Sequence, residues 1–328
     1  MSNYLKASIL GIATAAMLCG NSAIAQETLT IGFTSLGFHV PALAEARDGA
    51  LARGEELGVQ IEYITADDAA TQHRAVENLI AKQVDVLAID PNDSQAISEA
   101  VTLANEAGIP VVMWVGGAKS GTVASTIVSA EQAGGYDIAR WAFTALGGKG
   151  KVALLQGDKG HQAGFLREEG VRQALAEFPD IELVGYGEAK WARDIGERTA
   201  SNLLTQTPDL DAIIALNDEM AHGALAAAEA RGLTDLLVTG YNGQCDALKA
   251  VLDGKMAATL YQPFRDIGAR VVEVAVAIGA GDDVESHIDM PAVAIDTAAA
   301  GQIAAGTSEV ATPGMIASVT RAAAGCPQ

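Results

Sequence analysis

The sequence is poor in cysteine, in basic residues and in long apolar segments. Its 328 residues include three cysteines and 21 lysines and arginines against 41 acidic residues, giving a formal net charge of −20. So acidic a surface repels nucleic acid and anionic lipid, which excludes a DNA-binding function. No segment reaches the ~18 consecutive apolar residues that a membrane-spanning helix needs. We therefore expect a mature chain that is not embedded in a membrane.

Signatures of catalysis are also missing. The five histidines are scattered, and no two of them have the spacing of metal ligands. Segments 147–150 and 157–160 are rich in glycine but lack the spacing of phosphate-binding loops, and no serine lies in a Gly-x-Ser-x-Gly elbow. The sequence thus predicts neither an enzyme nor a metal or cofactor site.

The amino terminus has the pattern of an export signal. Lys6 precedes a short apolar stretch, and a box of small residues ends at Ala25. We predict a signal peptide over residues 1–25, cleaved near Ala25. Lipid attachment at Cys19 would require a small residue before it, and Leu18 stands there, so Cys19 is expected to leave with the peptide.

The two remaining cysteines are Cys245 and Cys326. An even number of cysteines in an exported chain suits a disulfide, because such bonds persist in oxidising compartments. Two separate buried thiols are the alternative. The sequence does not show whether the two Cα atoms come within bridging distance, so it leaves both open.

Short β-rich runs alternate with helical segments along most of the chain. This alternation is typical of α/β folds with parallel sheets, and the nearly continuous apolar character of the runs indicates helices on both faces. The runs are 29–35, 61–65, 84–89, 111–115, 152–156, 213–216 and 237–241.

Segment 84–112 is weakly echoed by segment 210–240, which predicts two similar lobes. Ligands of open parallel sheets lie beyond the carboxyl ends of the strands, where several Asp and Asn residues fall. Those residues suit either a ligand site or caps for the following helices, and for Asp90, Asn92 and Asp218 we expect capping.

Segment 216–224, Leu-Asn-Asp-Glu-Met-Ala-His-Gly-Ala, resembles the ribose/galactose-type periplasmic binding proteins, the type I solute-binding family. The resemblance runs over most of the mature chain, and its specificity rests on the order and spacing of several motifs. The other motifs are Asp48-Gly49-Ala50 and segments 89–94, 107–111, 238–243 and 258–262.

This resemblance implies an α/β fold of two doubly wound parallel-sheet lobes joined by a three-segment hinge, with crossings near Ser129, Gln262 and Val293. Repressors of the same fold carry a DNA-binding module at the amino terminus, where we predict a signal peptide in this chain. The implied ranges are 26–129 plus 263–292 for the N-terminal lobe and 130–262 plus 293–328 for the C-terminal lobe.

The resemblance also implies a periplasmic, monomeric binding protein that closes on a small solute by hinge bending. Its partners would be the permease and ATPase of an ABC importer. A sensor that feeds a chemoreceptor or a kinase is the alternative, as is a non-sugar polar solute. The tail after Ile295 is longer than the family core needs, so we predict a Cys245–Cys326 bond that ties it to the C-terminal lobe.

Four residues of the C-terminal lobe or its hinge match ligand positions of the family. Trp191 matches an aromatic ring stacked on a sugar, Asn217 and Gln262 match amide contacts, and Asn242 stands where the family usually has aspartate. From the residues alone, Trp191 suits either a ligand platform or a packed lid.

The N-terminal lobe departs from the family. Segment 39–43, His-Val-Pro-Ala-Leu, stands where Asn-Pro-Phe-Phe is usual, and Val115-Gly116 replaces an Asp-Arg pair. Phe38, just before that segment, and His39 follow the end of the first strand and are ligand candidates of this lobe. His39 suits either a hydroxyl donor or a solvated loop residue. Trp114, at the end of its strand, suits either core packing or the cleft.

The arginine that the family carries after the sixth strand aligns with Phe165, whereas Arg167 lies two residues later. Because both begin one helix, only one of them can face the cleft. The loss of the aligned charges predicts a neutral polyhydroxylated ligand such as a sugar, deoxy sugar, polyol or cyclitol. An inward Arg167 acting as an anion clamp would oppose that prediction.

Overall fold

The computed structural model describes residues 28–326, so the predicted signal peptide and Cys19 lie outside the described residues. Two six-stranded sheets form the framework. The first contains β1 (Thr30–Ser35), β2 (Gln60–Thr65), β3 (Val86–Ile89), β4 (Val111–Trp114), β5 (Ser125–Ser129) and β11 (His287–Met290). The second contains β6 (Lys149–Gln156), β7 (Asp180–Glu188), β8 (Ala212–Ala215), β9 (Leu237–Asn242), β10 (Ala258–Tyr261) and β12 (Val293–Asp296).

Helices cover both sheets. Those of the first sheet are α1 (Pro41–Leu57), α2 (Ala69–Ala81), α3 (Ile97–Glu106) and α9 (Phe264–Gly279). Those of the second are α4 (Glu131–Ala145), α5 (Gln162–Leu175), α6 (Arg193–Gln206), α7 (Asp218–Glu229), α8 (Cys245–Leu252), α10 (Thr297–Ala304) and α11 (Pro313–Ala323). Each sheet with its helices is called a lobe below, the first lobe being the one that contains β1.

The strand order is β2-β1-β3-β4-β5-β11 in the first sheet and β7-β6-β8-β9-β10-β12 in the second. The pairings are parallel except that β12 runs antiparallel to β10. Central strands such as β3, β4 and β8 are buried along their whole length, because helices pack on both of their faces. The α/β class with two doubly wound lobes is thereby confirmed.

The chain passes from one sheet to the other after β5, after β10, and between β11 and β12. After the first crossing α4 packs on α5 of the second lobe, and after the second crossing α9 packs on α1 of the first. The carboxyl ends of β3 and β4 then face those of β8 and β9 across a cleft.

A disulfide joins Cys245, the first residue of α8, to Cys326 beyond the end of α11, with Cα atoms 5.8 Å apart. The prediction that this bond ties the carboxyl-terminal segment to its lobe is confirmed. Leu248, Ile303 and Val319 form a small core beneath it. Within residues 28–326, no helix combines the length and the apolar character that crossing a membrane requires.

Candidate functional site

A cavity of about 40 Å³ lies between the carboxyl ends of the two sheets. This volume is well below the ~300–1,000 Å³ typical of small-molecule sites, so the two lobes must separate further to hold a solute the size of a sugar. The first lobe contributes Leu36, Val40, Leu43, Asp90, Val115 and Phe264. The second lobe contributes His161, Ala163, Arg167, Trp191, Asn217 and Asn242.

Trp191 supplies the aromatic wall of the cavity. Its side chain is buried, and its ring packs directly on the backbone of Gly157. A Cβ atom at Gly157 would lie 2.0 Å from Cζ2 of that ring, so only glycine leaves room for the tryptophan. The indole N–H is buried without a hydrogen-bond partner in the described part of the chain. Trp191 thus presents both an apolar ring and an unused donor.

Three cavity residues other than glycine have left-handed backbone conformations: Val115 with φ +60°, Trp191 with φ +62° and Asn242 with φ +115°. Such conformations cost about 1–3 kcal/mol each and persist where the surrounding structure imposes them, often at ligand sites. Their presence on both lobes indicates that folding fixes the shape of the cavity walls.

Arg167 lies in the cavity wall and belongs to a buried hydrogen-bond network. Its Nε donates to Glu131 at 2.7 Å, and Nη1 donates to the Leu216 carbonyl oxygen at 2.7 Å. The same guanidinium donates to Oδ1 of Asn242 at 3.4 Å and to Oε1 of Gln262 at 3.1 Å. Burial acts to lower the pKa of Arg167, but the charge of Glu131, the neighbouring Tyr241 and Asp218, and the hydrogen bond to Glu131 together outweigh burial and hold that pKa above its usual value. The cation is therefore already paired with an anion.

Asn217 holds Trp191 in place. The Asn217 side chain caps α7 by accepting the Met220 N–H at 2.8 Å and donates to the carbonyl oxygen of Trp191 at 3.0 Å. Its amide retains one hydrogen and one lone pair for a ligand. A role in positioning the Trp191 loop accompanies any ligand contact.

Asp90 and His161 meet across the cleft. Asp90 follows β3 in the first lobe and is 1% exposed, and its Oδ1 lies 3.3 Å from Nε2 of His161 in the second lobe. The other carboxylate oxygen, Oδ2, is buried without a partner within residues 28–326. Burial raises the pKa of Asp90, while the hydrogen bond from His161 opposes that rise.

The capping expected of three strand-end residues is wrong. Asp90 faces the cavity, Asn92 donates its side chain to the Ala66 carbonyl oxygen, and Asp218 accepts from Gln244 and Thr259. Their neighbours Asp93 and Asn217 are the residues whose side chains accept helix-start N–H groups.

Of the nine residues predicted to bind ligand, the structure brings four to the cavity wall: Trp191, Asn217, Asn242 and Arg167. Gln262 is buried behind them, where its amide joins Arg167 to Glu131.

The other four do not line the cavity. Phe38 is 38% exposed beneath the guanidinium of Arg47, and His39 lies 3.9 Å from Asp67 at the surface. Trp114 packs edge-on against Phe33 in the core of the first lobe. Phe165 is 58% exposed, since its neighbour Arg167 takes the inward position. Arg167 thus supplies the positive charge that Phe165 lacks, which corrects the premise that this charge is lost.

Three titratable residues of the site were not predicted to bind, Asp90, His161 and Glu131, and neither were the apolar residues of its wall. Asp90 lies at a strand end, where a ligand residue is expected, but an aspartate there also suits a cap for the following helix. His161 is an isolated histidine, and Glu131 is an ordinary acidic residue in the first turn of α4. No local signal distinguishes the last two, because their partners are distant in sequence.

Two mostly parallel α/β sheets, linked by three crossings and facing each other over a cavity, define the class of two-lobed proteins that bind solutes in a cleft. The chain belongs to the periplasmic binding protein family, and its residues 31–283 match the family model described as a periplasmic binding protein domain. It is similar to the ribose import binding protein RbsB of Salmonella typhimurium, with 35% identity over 279 residues, 85% of this chain and 93% of that protein.

Solved structures agree. An ABC transporter solute-binding protein from Bacillus halodurans with bound myo-inositol has a TM-score of 0.79 and 29% identity, over 83% of this chain and 95% of that one. The fructose-binding periplasmic domain of a hybrid two-component system has a TM-score of 0.81 and 26% identity, over 85% and 94%. The expectation of a binding protein rather than an enzyme is confirmed by the family.

Proposed function

We propose that this protein is the periplasmic binding component of an ABC importer and that it closes its lobes on a small neutral polyhydroxylated molecule. A sugar, deoxy sugar, polyol or cyclitol fits this description. Relatives whose names or titles specify ribose and myo-inositol support the class of ligand.

The observation that carries the proposal is the composition of the cavity wall. Trp191 on one side and Leu36, Val40 and Leu43 on the other provide apolar surfaces suited to the C–H face of a sugar. Polar atoms stand at the edge, on Asp90 and Asn242. The arginine beside them is matched by Glu131, so a ligand carboxylate or phosphate would find no free counter-charge and would face Asp90.

Contacts between the lobes support closure as the mechanism. Besides the Asp90–His161 pair, the backbone N–H of Ser94 in the first lobe donates to the Gly160 carbonyl oxygen in the second at 3.1 Å. On another side of the cleft Arg321 of α11 pairs with Glu45 of α1. Bending at the three crossings would open these contacts and admit the solute.

Delivery to a permease with its ATPase is the role we propose for the closed form, with the chain acting as a monomer. The likeness to the RbsB import protein and the predicted signal peptide support it. A sensory role is the second candidate, favoured by the likeness to a two-component sensor domain. A strain lacking the permease would separate the two roles. If that strain loses uptake but retains chemotaxis or signalling, the protein has a sensory role that does not depend on transport.

A thermal-shift screen tests the ligand class. At a concentration about a hundred times the dissociation constant, a ligand adds ~2.7 kcal/mol of stability. We expect that gain from neutral sugars, polyols or cyclitols, and none from sugar acids or sugar phosphates of the same size. Stabilisation by the anionic series alone would refute the proposal.

A further inference from the structure

The chain continues beyond its last strand into a carboxyl-terminal segment, residues 297–326, which is called the strap below. The strap contains α10 and α11, and the disulfide joins its end, Cys326, to Cys245 at the start of α8. The N–H of Cys326 donates to the carbonyl oxygen of Arg321 at 3.0 Å. The disulfide therefore holds the last turn of α11, which carries Arg321, on the second lobe.

Helix α11 has two adjacent faces, each defined by residues at helical spacing. One face is buried in the small core of the second lobe and consists of Met315, Val319 and Ala322. The other face points away from that core and consists of Gly314, Ser318 and Arg321. The apolar face explains how the helix is attached, and the second face is left to contact something else.

The second face of α11 contacts the first lobe at both of its ends. A Cβ atom at Gly314 would lie 2.7 Å from Oδ2 of Asp266, at the start of α9, so the helix backbone packs directly on that side chain. At the other end Arg321 forms an ion pair with Glu45 of α1. A helix that belongs to the second lobe thus reaches the first lobe beside the crossing that follows β10.

The position of Glu45 ties this ion pair to the cavity. Glu45 lies two residues after Leu43, and Leu43 and Val40 form part of the first-lobe wall of the cavity. The side chains of Arg321 and Glu45 are both partly buried, so water and salt weaken their attraction less than that of a fully exposed pair. Hinge bending that opens the cavity moves α1 away from α11 and breaks the pair.

We propose that the strap holds the lobes closed: the disulfide fixes α11, and Arg321 then binds Glu45 when the first lobe closes over the solute. Arg321 does not line the cavity, so it is a positioning residue that raises affinity by stabilising the closed form. This inference rests on the proposed closure around a solute. A strap that only stabilised its own lobe would change the free energy of unfolding and leave affinity unaltered.

The test uses Arg321→Met and Glu45→Gln, which remove the two charges from opposite lobes with little change of volume, and the double variant of both. Arg231→Met is the matched control, because Arg231 donates only to the Ser201 carbonyl oxygen and to Thr205 in its own lobe. Each protein is titrated calorimetrically with D-ribose, xylitol and myo-inositol. Stopped-flow fluorescence then gives association and dissociation rates for whichever probe binds, and urea denaturation gives the stability of the ligand-free proteins.

We expect Arg321→Met and Glu45→Gln each to weaken binding roughly 3- to 10-fold, as loss of a partly buried charged pair does, and Arg231→Met to change it less than about 2-fold. The loss should appear in the dissociation rate, because the solute meets the open form, in which the pair is broken. The double variant should bind no more weakly than the weaker single variant, since both changes remove one contact.

A second comparison tests the role of the disulfide. Replacing Cys245 and Cys326 together with serine should weaken binding by a similar factor in wild type, but less than about 2-fold in the Arg321→Met background, because the bond acts through Arg321. Circular dichroism before each titration confirms that the variants compared are folded. If Arg321→Met does not fold, Glu45→Gln on the other lobe gives the answer.

Wild-type affinity in Arg321→Met or Glu45→Gln would overturn the proposal. So would a loss confined to the association rate, or additive losses from the arginine and the disulfide, since either shows that the strap does not act by holding Arg321 on Glu45. All three results leave the proposed function standing. Failure of wild type to bind any neutral sugar, polyol or cyclitol would instead overturn the proposed function itself.

Discussion

Replacing Arg167 with methionine should unfold the second lobe far more readily than replacing an exposed arginine on the same helix. Methionine fills similar space but removes the bonds to Glu131, Leu216, Asn242 and Gln262. Glu131, itself 3% exposed, would then be a buried charge without its cation. Breaking a buried ion pair from one side costs about 3–5 kcal/mol.

Arg172→Met is the control. Arg172 lies on the same helix and pairs with Glu168 one turn away, but its side chain is half exposed, so its loss should cost less than about 1 kcal/mol. Urea denaturation of the ligand-free proteins measures both costs. The double variant Arg167→Met with Glu131→Met should recover part of the loss, because no charge is left unpaired. If Arg167→Met and Arg172→Met cost the same, the network does not stabilise the lobe as described.

Three further predictions concern the walls of the cavity, the disulfide and a buried acid. Gly157→Ala should displace the Trp191 ring and weaken ligand binding at least tenfold in calorimetry. Gly232→Ala, at a surface turn, should leave the affinity unchanged, and equal affinities of the two variants would contradict the packing of Trp191 on Gly157. Replacing Cys245 and Cys326 with serine should lower the free energy of unfolding by about 4 kcal/mol, because the bond closes a loop of 81 residues; matching denaturation midpoints would argue against it. Burial raises the pKa of Asp218 from 3.8 to about 7, so folding favours the protonated acid. The stability that this protonation adds is full below about pH 4 and is lost as the pH rises through 7. Between those pH values the free energy of unfolding of wild type should fall by an amount on the order of 4 kcal/mol, and that of Asp218→Asn should lack this fall. Parallel pH profiles of the two proteins would refute the assignment.

The framework was predictable because buried parallel strands are short, continuous apolar runs. Strands such as β3, β4 and β8 have this character, and the sequence predicts them to within two residues. Strands β5, β7 and β10 are absent from the predicted runs. The edge strand β7 is half exposed and contains charges and glycines, and β5 and β10 are short strands that contain serine or threonine. Strands β11 and β12, of four residues each, depend on pairing with distant strands rather than on local pattern.

The cavity wall of the second lobe was predicted through the family resemblance, which matches Trp191, Asn217 and Asn242 to ligand positions, whereas the residues alone left the role of Trp191 open. The first-lobe half was not, because the loop after β1 decides which residues turn inward: Leu36 and Val40 do so, and Phe38 and His39 do not. Arg167 faces inward because its counter-ion Glu131, 36 residues earlier in the chain, lies in the interior of the lobe. Pairings of this kind are set by the folded structure and leave no trace in local sequence.

The most direct test of the account is to purify the protein from its native cells without added ligand, to unfold it, and to measure the mass of the molecule that it releases. We predict one neutral polyhydroxylated molecule per chain, which rebinds unchanged to the ligand-free protein. Recovery of a carboxylated or phosphorylated compound, or of a substrate together with its reaction product, would contradict the central claim.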